Sequence, residues 1–146
     1  GRMTDALTAR REALVREHMA SEGRLDFEAT MATFDHPRYE LIGTGAVFDG
    51  DEAVRRYFKV SREPFPDQDN EIIAIHHAGD AVIVEFWLTG THKGQLRTAS
   101  GTVAPTGRAF RVRMAAFFLF PPGGERIVCE RVYFDQASIL KQLGLA

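Results

Sequence analysis

The chain changes character at Pro64 and Pro66, and this change constrains the fold more than any other feature of the sequence. Before the two prolines, apolar residues recur at helical spacing. After them, β-branched and aromatic residues dominate four runs, at residues 71–77, 81–92, 110–120 and 127–134. Runs of this kind are typical of strands. The sequence therefore predicts helices in the first part of the chain and a sheet in the second.

Three helices are predicted before the prolines. The first spans residues 4–22, ends at Gly23, and places on one face Leu7, Leu14, Val15, His18 and Met19. Asp26 is positioned to cap a second helix that runs through Phe34 and ends before Pro37. A short strand over residues 38–42 then precedes a third helix, which begins near Asp51.

Turn residues separate the predicted strands. Gly79-Asp80 and the Pro-Pro-Gly-Gly segment at residues 121–124 are short connections, which favour antiparallel pairing. The polar residues 94–107 form either a long hairpin loop or a weak pair of strands. Asp135 is placed to cap a last helix that ends at Gly144.

This order of elements predicts an α+β fold in which the helices cover one face of a curved antiparallel sheet. The segment MAAFFLF, at residues 114–120, is apolar on both of its alternating faces. A strand that is covered on one face only should alternate with polar residues, so the second face is expected to be buried against another subunit. We therefore predict a homodimer that packs through the outer face of the sheet, with Trp87 as part of the contact.

Composition bounds the domain count, the partners and the compartment. The chain has 146 residues, of which 45 % are hydrophobic, enough for one core and so for a single domain over residues 3–146. Gly1 and Arg2 precede Met3, and we expect them to be vector-derived. The 18 basic and 20 acidic residues are dispersed, which predicts no nucleic-acid partner. The lack of a long apolar segment and the lone Cys129 predict a cytoplasmic protein that does not enter membranes.

Three phrases in the sequence carry a family resemblance. They are G-T-H-K-G at residues 90–94, A-P-T-G-R at 104–108 and the closing D-Q-A-S-I-L-K-Q-L-G. With the order of elements, they resemble the nuclear transport factor 2-like superfamily, and within it the SnoaL-like polyketide cyclases, with ketosteroid isomerases as more distant relatives. The resemblance implies a cone-shaped, curved antiparallel sheet around N-terminal helices. It also implies an apolar cavity that holds one or two carboxylates.

Three catalytic positions that the resemblance implies are apolar in this chain. Val132 stands where the cyclases carry an aspartate on the last strand. Leu41 and Ala116 stand where the isomerases carry a general-base aspartate and an aspartic acid of the oxyanion hole. The related epoxide hydrolases need an Arg and two Asp, and the strand R-V-R-M-A at residues 111–115 supplies no aspartate.

Glu130 is the candidate for acid-base chemistry that remains. Strand alternation puts it on the same side as Val132, inside the cavity. Burial disfavours the charged carboxylate, so the pKa of Glu130 is expected to rise toward neutrality, which suits proton transfer. The alternative is that Glu130 pairs with a buried Arg, His or Tyr for structural reasons.

His18 is the second catalytic candidate, because it lies on the apolar face of the first helix. It is expected to donate a hydrogen bond to a substrate oxygen, or else to satisfy a backbone carbonyl. Tyr39 is likewise placed to reach a ligand oxygen. The residues predicted to contact the ligand are Tyr39, Leu41, Phe86, Leu88, His92, Met114, Ala116, Val132 and Phe134. For His92, a role in holding the loop at Gly94 is the alternative.

These candidates predict an apolar, polyketide-like or steroid-like ligand and cofactor-free acid-base chemistry, namely a cyclisation, an isomerisation or a hydration. His76 and His77 are adjacent on a strand and point to opposite faces, so no metal site is predicted. The alternatives are a binding module without chemistry, and an interaction protein whose cavity is filled by its own side chains.

Overall fold

Among the described residues, three of the four helices precede Pro64 and Pro66 and six of the eight strands follow them, as the change at these prolines predicts. The structure, a computed structural model, describes residues 4–146. Its helices are α1 (Asp5–Gly23), α2 (Phe27–Met31), α3 (Asp51–Arg62) and α4 (Gln136–Gln142). Its strands are β1 (Arg38–Leu41), β2 (Ala46–Asp49), β3 (Asp69–Ala78), β4 (Ala81–Thr91), β5 (Leu96–Thr98), β6 (Gly101–Val103), β7 (Ala109–Leu119) and β8 (Cys129–Tyr133).

The helix caps follow the sequence closely. Thr4, Asp26 and Asp135 accept hydrogen bonds from backbone amides in the first turns of α1, α2 and α4. Each bond satisfies an amide that has no partner inside its helix. The capping role predicted for Asp135 is therefore confirmed, with Oδ1 3.1 Å from the Ala137 amide.

Six strands form one sheet in the order β2-β1-β8-β7-β4-β3, and β5 and β6 form a separate pair. The neighbours in the large sheet are antiparallel, except that β1 pairs with β8 in parallel. The short turns of the sequence predicted only antiparallel pairs. The parallel pair arises because β1 and β8 are far apart in the chain, so no hairpin sets their relative direction.

Two local boundaries differ from the prediction. Helix α2 ends at Met31 and not at Phe34, because the following backbone pairs with Ile127: the Asp35 amide donates to the Ile127 carbonyl at 2.8 Å. The sequence also predicted no strand between Gly45 and Asp51, where β2 pairs with β1. For residues 94–107, the weak pair of strands is the alternative that the structure contains.

The inner face of the sheet packs against the helices and carries most of the core. Alternate residues of β7 are buried on this face: Phe110, Val112, Met114, Ala116 and Phe118. On the outer face, Ala115, Phe117 and Leu119 are only partly buried, and Tyr133 is 41 % exposed. The Arg111 guanidinium lies 3.7 Å from the centre of the Trp87 ring on that face. Within residues 4–146, no helix is long and apolar enough to cross a lipid bilayer.

Candidate functional site

Two adjoining hollows that share part of their walls lie between the inner face of the sheet and helix α3. The larger one, here called the pocket, has a volume of about 350 Å³. Most of its wall is apolar and includes Leu41, Phe48, Leu88, Phe110, Phe134 and Ile139. The pair β5–β6 borders the pocket through Leu96 and Arg97. A hollow of this size and lining can enclose a small ring compound.

The smaller hollow, here called the recess, extends the pocket toward α1. It has a volume of about 50 Å³ and a more polar wall, which includes Glu22, Arg62 and Glu130. The residues that line both hollows are Tyr57, Gln68, Leu88, Met114 and Val132. A ligand that fills the pocket can therefore place one end against the polar side chains of the recess.

The strand register explains why an acid lies beside an apolar pocket. Glu130 and Val132 both point inward from β8, and the partners of Glu130 across the sheet are Tyr39 on β1 and Phe118 on β7. Leu41 and Ala116 flank Val132 in the same way. Glu130 is 5 % exposed, and its carboxyl group lies among mostly apolar side chains on the inner face of the sheet.

His18 is the direct partner of Glu130. Its Nε2 atom lies 2.6 Å from Glu130 Oε1, and the imidazole is completely buried. On the other side of the ring, Nδ1 lies 2.8 Å from the hydroxyl oxygen of Thr33. That hydroxyl donates its hydrogen to the Thr30 carbonyl, so Nδ1 must donate to Thr33. With Nδ1 protonated, the short contact between Nε2 and Glu130 requires a proton shared by these two atoms.

Glu22 is a second, largely buried carboxylate, with 12 % of its side chain exposed, and lies one helical turn after His18. Its Oε2 atom is 3.2 Å from His18 Nε2, while its Oε1 atom accepts from the Tyr39 hydroxyl at 3.2 Å and from Arg62 Nη2 at 3.3 Å. The group therefore combines two acids with two basic side chains. We call these four residues the buried polar group: His18, Glu22, Arg62 and Glu130.

The two carboxyl groups differ in pKa because they have different neighbours. Burial raises the pKa of Glu130, and the charge of Glu22 raises it further. Burial also opposes ionisation of Glu22, but the charge of His18, its hydrogen bond and the charge of Arg62 outweigh this effect and lower the pKa of Glu22. Glu22 is thus the permanent anion of the buried polar group, and Glu130 is the carboxyl group that can exchange a proton.

His18 is held in its charged form by the two acids. Burial alone would lower its pKa, but the charge of Glu22 and the hydrogen bonds to Glu130 and Glu22 raise the pKa of His18 to about 9. The charged imidazole can therefore donate from Nε2 to Glu130. With the proton on Nε2, Glu130 is a carboxylate that is able to accept a proton.

Most of the residues predicted to contact a ligand lie at the two hollows. Leu41 and Phe134 line the pocket, Phe86 lines the recess, and Leu88, Met114 and Val132 line both. Tyr39 and Ala116 are at most 1 % exposed and lie behind these walls. The Tyr39 hydroxyl contacts Glu22 and His18.

Two histidines are placed differently from the expectation. His18 was expected to donate to a substrate oxygen, but both of its ring nitrogens contact protein atoms and it acts on the recess through Glu130. His92 Nδ1 accepts from the Thr106 amide at 3.1 Å, and the His92 amide donates to the Arg108 carbonyl. These contacts correspond to the alternative in which His92 holds the loop that follows β4.

Sequence reasoning missed Glu22 and Arg62. Glu22 is four residues after His18, so both lie on the same face of α1. Arg62 follows Val54 and Phe58 at intervals of four and therefore lies on the apolar face of α3. A charged residue on an otherwise apolar helical face was the signal available in each case.

The buried polar group also has the geometry of a potential metal site. His18, Glu22 and Glu130 each offer one ligand atom, and these atoms lie within 4.8 Å of one another. A bound cation would have to replace the proton between His18 and Glu130. It would also lie near the positive charge of Arg62, which already pairs with Glu22. The prediction of no metal site stays a prediction.

Comparisons with known proteins identify the family and the fold. A family model for a SnoaL-like domain matches residues 3–129. A protein described as a SnoaL-like polyketide cyclase from Jannaschia sp. CCS1 has 19 % identity and a TM-score of 0.82, with 100 % of this chain and 99 % of that chain covered. No curated protein matches the sequence.

Two further solved structures are similar at comparable identity. A protein with a ketosteroid isomerase-like fold from Catenulispora acidiphila has 23 % identity and a TM-score of 0.75, over 91 % of this chain and 93 % of that chain. A nuclear transport factor 2-like protein from Burkholderia pseudomallei has 17 % identity and a TM-score of 0.74, over 92 % of this chain and 97 % of that chain. The fold expected from the sequence phrases is therefore confirmed.

Proposed function

We propose that this chain, which belongs to the SnoaL-like domain family, binds an apolar, polycyclic small molecule in the pocket. In this proposal, Glu130 accepts a proton from the bound molecule and later returns it. One observation carries the proposal. Glu130 is a buried acid that lines the recess next to the apolar pocket and shares a proton with His18 across 2.6 Å. The description of the similar Jannaschia protein supports a polyketide-like ligand, and the volume of about 350 Å³ and the apolar lining of the pocket also suit a steroid-like one.

The proposed step is proton transfer next to a ligand carbonyl. The carbon–hydrogen bond breaks, the proton passes to a carboxylate oxygen of Glu130, and the bonding electrons move into the carbonyl group to form an enolate. Return of the proton to another carbon gives an isomerisation. Attack of the enolate carbon on a second carbonyl, followed by protonation of the new alkoxide, gives a cyclisation. Neither route requires a cofactor.

His18 supports this step without touching the ligand. Its charged imidazole opposes the rise in the pKa of Glu130 that burial and Glu22 cause, and it fixes the position of the carboxylate through a short hydrogen bond. Glu22 in turn holds the charge on His18. His18 is therefore a positioning residue, and Glu130 is the proposed catalytic residue.

Deuterium exchange on a two-ring ketone tests the proposal without knowledge of the natural ligand. The α-hydrogens of 2-tetralone exchange in heavy water, and proton magnetic resonance follows their loss. We expect the protein to accelerate this exchange and Glu130→Gln to reduce the acceleration about 100-fold or more. Glu52→Gln makes the same chemical change at an exposed position on α3 and should keep the full acceleration.

The results separate catalysis from binding alone. Equal acceleration by the wild type and Glu130→Gln would remove Glu130 from the chemistry. Binding of 2-tetralone without any acceleration would favour the non-catalytic binding module, an alternative consistent with the apolar Leu41, Ala116 and Val132 at positions where relatives carry acids.

A homodimer through the outer face of the sheet is part of the proposal. The partly exposed apolar side chains on this face, namely Ile83, Trp87, Ala115, Phe117, Leu119 and Tyr133, support it because they alternate with the buried residues of the inner face. Phe117 and Tyr133 also contact each other, with ring centres 5.5 Å apart. A cytoplasmic location stays a prediction from the sequence.

A further inference from the structure

Thr33 contacts the side of the His18 ring that faces away from Glu130. It follows helix α2, is 2 % exposed, and its hydroxyl oxygen lies 2.8 Å from His18 Nδ1. The same hydroxyl donates to the Thr30 carbonyl at 2.6 Å. A hydroxyl group has one hydrogen, so this bond leaves only the lone pairs of the Thr33 oxygen for His18. Thr33 therefore requires a hydrogen on Nδ1.

Backbone hydrogen bonds hold Thr33 in this position. Its amide donates to the Thr30 carbonyl at 3.1 Å, and its carbonyl accepts from the Ile127 amide at 3.0 Å. Ile127 precedes β8, the strand that carries Glu130. The acceptor for Nδ1 and the carboxylate for Nε2 are therefore fixed on opposite sides of the His18 ring by segments that are bonded to each other.

The two ring nitrogens of His18 have different surroundings. The polar side chains on the Nε2 side are Glu22, Tyr39, Glu130 and, paired with Glu22, Arg62. Within residues 4–146, the one hydrogen-bond partner of Nδ1 is the Thr33 hydroxyl. Without that hydroxyl, a hydrogen on Nδ1 would be buried without a partner, which is costly. The charged form of His18 therefore depends on Thr33 as well as on the two acids.

The hydrogen on Nδ1 decides what His18 presents to Glu130. With Nδ1 protonated, a second hydrogen on Nε2 makes the ring a cation, and its hydrogen bond to a carboxylate is charge-assisted. With Nδ1 unprotonated, a hydrogen on Nε2 leaves the ring neutral. Glu130 would then lose the positive charge that opposes the rise in its pKa.

We propose that Thr33 is a positioning residue for proton transfer by Glu130. By accepting from Nδ1, its hydroxyl holds the His18 imidazole as a charged donor to the carboxylate. Thr33 lines neither the pocket nor the recess, so it acts through His18 and not on the ligand. This inference rests on the proposed function, because the carboxylate that is positioned is the one proposed to move the proton.

Nitrogen-15 magnetic resonance of the histidine side chains tests the contact without a ligand. The nitrogen shifts distinguish protonated from unprotonated ring nitrogens, and His18→Gln identifies the His18 signals by their loss. In the wild type, His18 should lose its charge near pH 9. We expect Thr33→Val, which keeps the side-chain shape, to lower this pH by about one to two units, the usual effect of losing a hydrogen bond to a charged group.

Two further variants control this measurement. Thr33→Ser keeps the hydroxyl group and should titrate like the wild type. Thr102→Val makes the same change as Thr33→Val at an exposed position of β6 and should leave the His18 signals unchanged. Thr33→Cys provides a second protein without the hydroxyl, because a thiol is similar in size and only a weak acceptor. The downward shift is expected for it too.

Exchange of the α-hydrogens of 2-tetralone measures the consequence for the reaction. At pH 8, we expect Thr33→Val to reduce the acceleration about 10-fold or more, because Glu130 loses its charged donor. Thr33→Ser should keep most of the acceleration. Binding of 2-methylnaphthalene, measured by equilibrium dialysis with fluorescence detection, should change by less than about threefold, since Thr33 lies outside the walls of both hollows.

Three results would overturn the inference while the wild type still accelerates exchange, and in each of them the proposed function stands. An unchanged titration of His18 in the folded variants would show that Thr33 does not hold Nδ1. A shifted titration with unchanged exchange would limit Thr33 to a structural role. Equal losses of exchange and of 2-methylnaphthalene binding would mean that Thr33 shapes the pocket. A wild type without any acceleration would overturn the proposed function and the positioning role together, whatever the His18 signals show.

Discussion

At the residue scale, buried charge is the property that distinguishes the helical side of this protein. Among residues 4–146, two arginines are buried, and they differ in their hydrogen-bond partners. Arg11 is fully buried, donates to the carbonyls of Gly124 and Pro121, and pairs with Asp80 at 3.1 Å. Arg62 pairs with Glu22 and leaves Nε without a partner. The first arrangement holds the turn at residues 121–124 against α1, whereas the second leaves one buried N–H group of Arg62 without a hydrogen bond.

His18 links the pH dependence of stability to the buried polar group. The folded protein raises its pKa from 6.5 to about 9. A group whose pKa is raised on folding contributes stability that is fully present below the unfolded pKa and is lost as the pH rises through the folded pKa. The free energy of unfolding should therefore fall by about 3 kcal/mol between about pH 6 and about pH 10 through His18 alone.

We expect His18→Gln to remove this part of the pH dependence. Urea unfolding of the wild type and the variant at both pH values measures it, and the difference between the two proteins should be largest at the lower pH. His76→Gln is the control, because the His76 side chain is exposed on β3. A difference between wild type and His18→Gln that stayed constant with pH would contradict the assignment of the charged imidazole.

At the element scale, the loop after β4 attaches the pair β5–β6 to the end of α3. The amides of Lys93 and Gly94 both donate to the Pro64 carbonyl, at 3.0 and 3.2 Å. Gly94 lies so close to α3 that a Cβ atom there would be 1.9 Å from the Glu63 carbonyl oxygen. Only glycine allows this approach, which places Leu96 and Arg97 at the border of the pocket.

Gly94→Ala should therefore displace β5–β6 from the pocket. We expect a loss of about 1–3 kcal/mol in the free energy of unfolding, because the backbone must move to accept the methyl group. Binding of 2-methylnaphthalene should weaken as well, since one side of the pocket opens. Ser100→Ala, at the exposed turn of the same pair, is the control for both measurements. Wild-type stability and affinity in Gly94→Ala would show that the loop accommodates the methyl group without moving.

At the scale of the whole molecule, the two faces of the sheet differ in the residues they carry and in their exposure. The inner face holds the core, the pocket and Glu130, whereas the outer face presents partly exposed aromatic and aliphatic side chains. A partner subunit on the outer face would cover these side chains without blocking the pocket, which lies on the other side of the sheet.

Phe117→Glu tests the proposed dimer. Phe117 lies at the middle of the outer face, between Ile83 on β4 and Arg131 on β8. A carboxylate there should raise the dissociation constant of the dimer about 100-fold or more, because it would be buried in an apolar contact and its neighbour Arg131 already pairs with Glu40. Sedimentation velocity over a range of concentrations measures the change. Leu25→Glu is the control, because Leu25 is an exposed apolar residue on the helical side, and it should leave association unchanged. A wild type that sediments as a monomer at all concentrations would refute the dimer.

The sequence by itself determined the order of the main helices and strands other than β2, the helix caps at Asp26 and Asp135, and the inward position of Glu130. These features depend on local spacing: a period of two on β8, a period near four on α1 and α3, and an acid directly before α4. Alternation was enough to predict that Glu130 faces the same side as Val132, and that burial would raise the pKa of Glu130.

Only the tertiary structure decided which residues surround Glu130. His18 and Glu130 are 112 positions apart, and Glu22 and Arg62 are 40 apart, so no local pattern specifies that they meet. The parallel pairing of β1 with β8 brings Tyr39 beside Glu130, and the packing of α1 and α3 on the sheet brings in Glu22 and Arg62. Long-range packing therefore joined the local pair His18–Glu22 to Glu130 and Arg62, because buried charges are stable away from water only when they are close enough to pair.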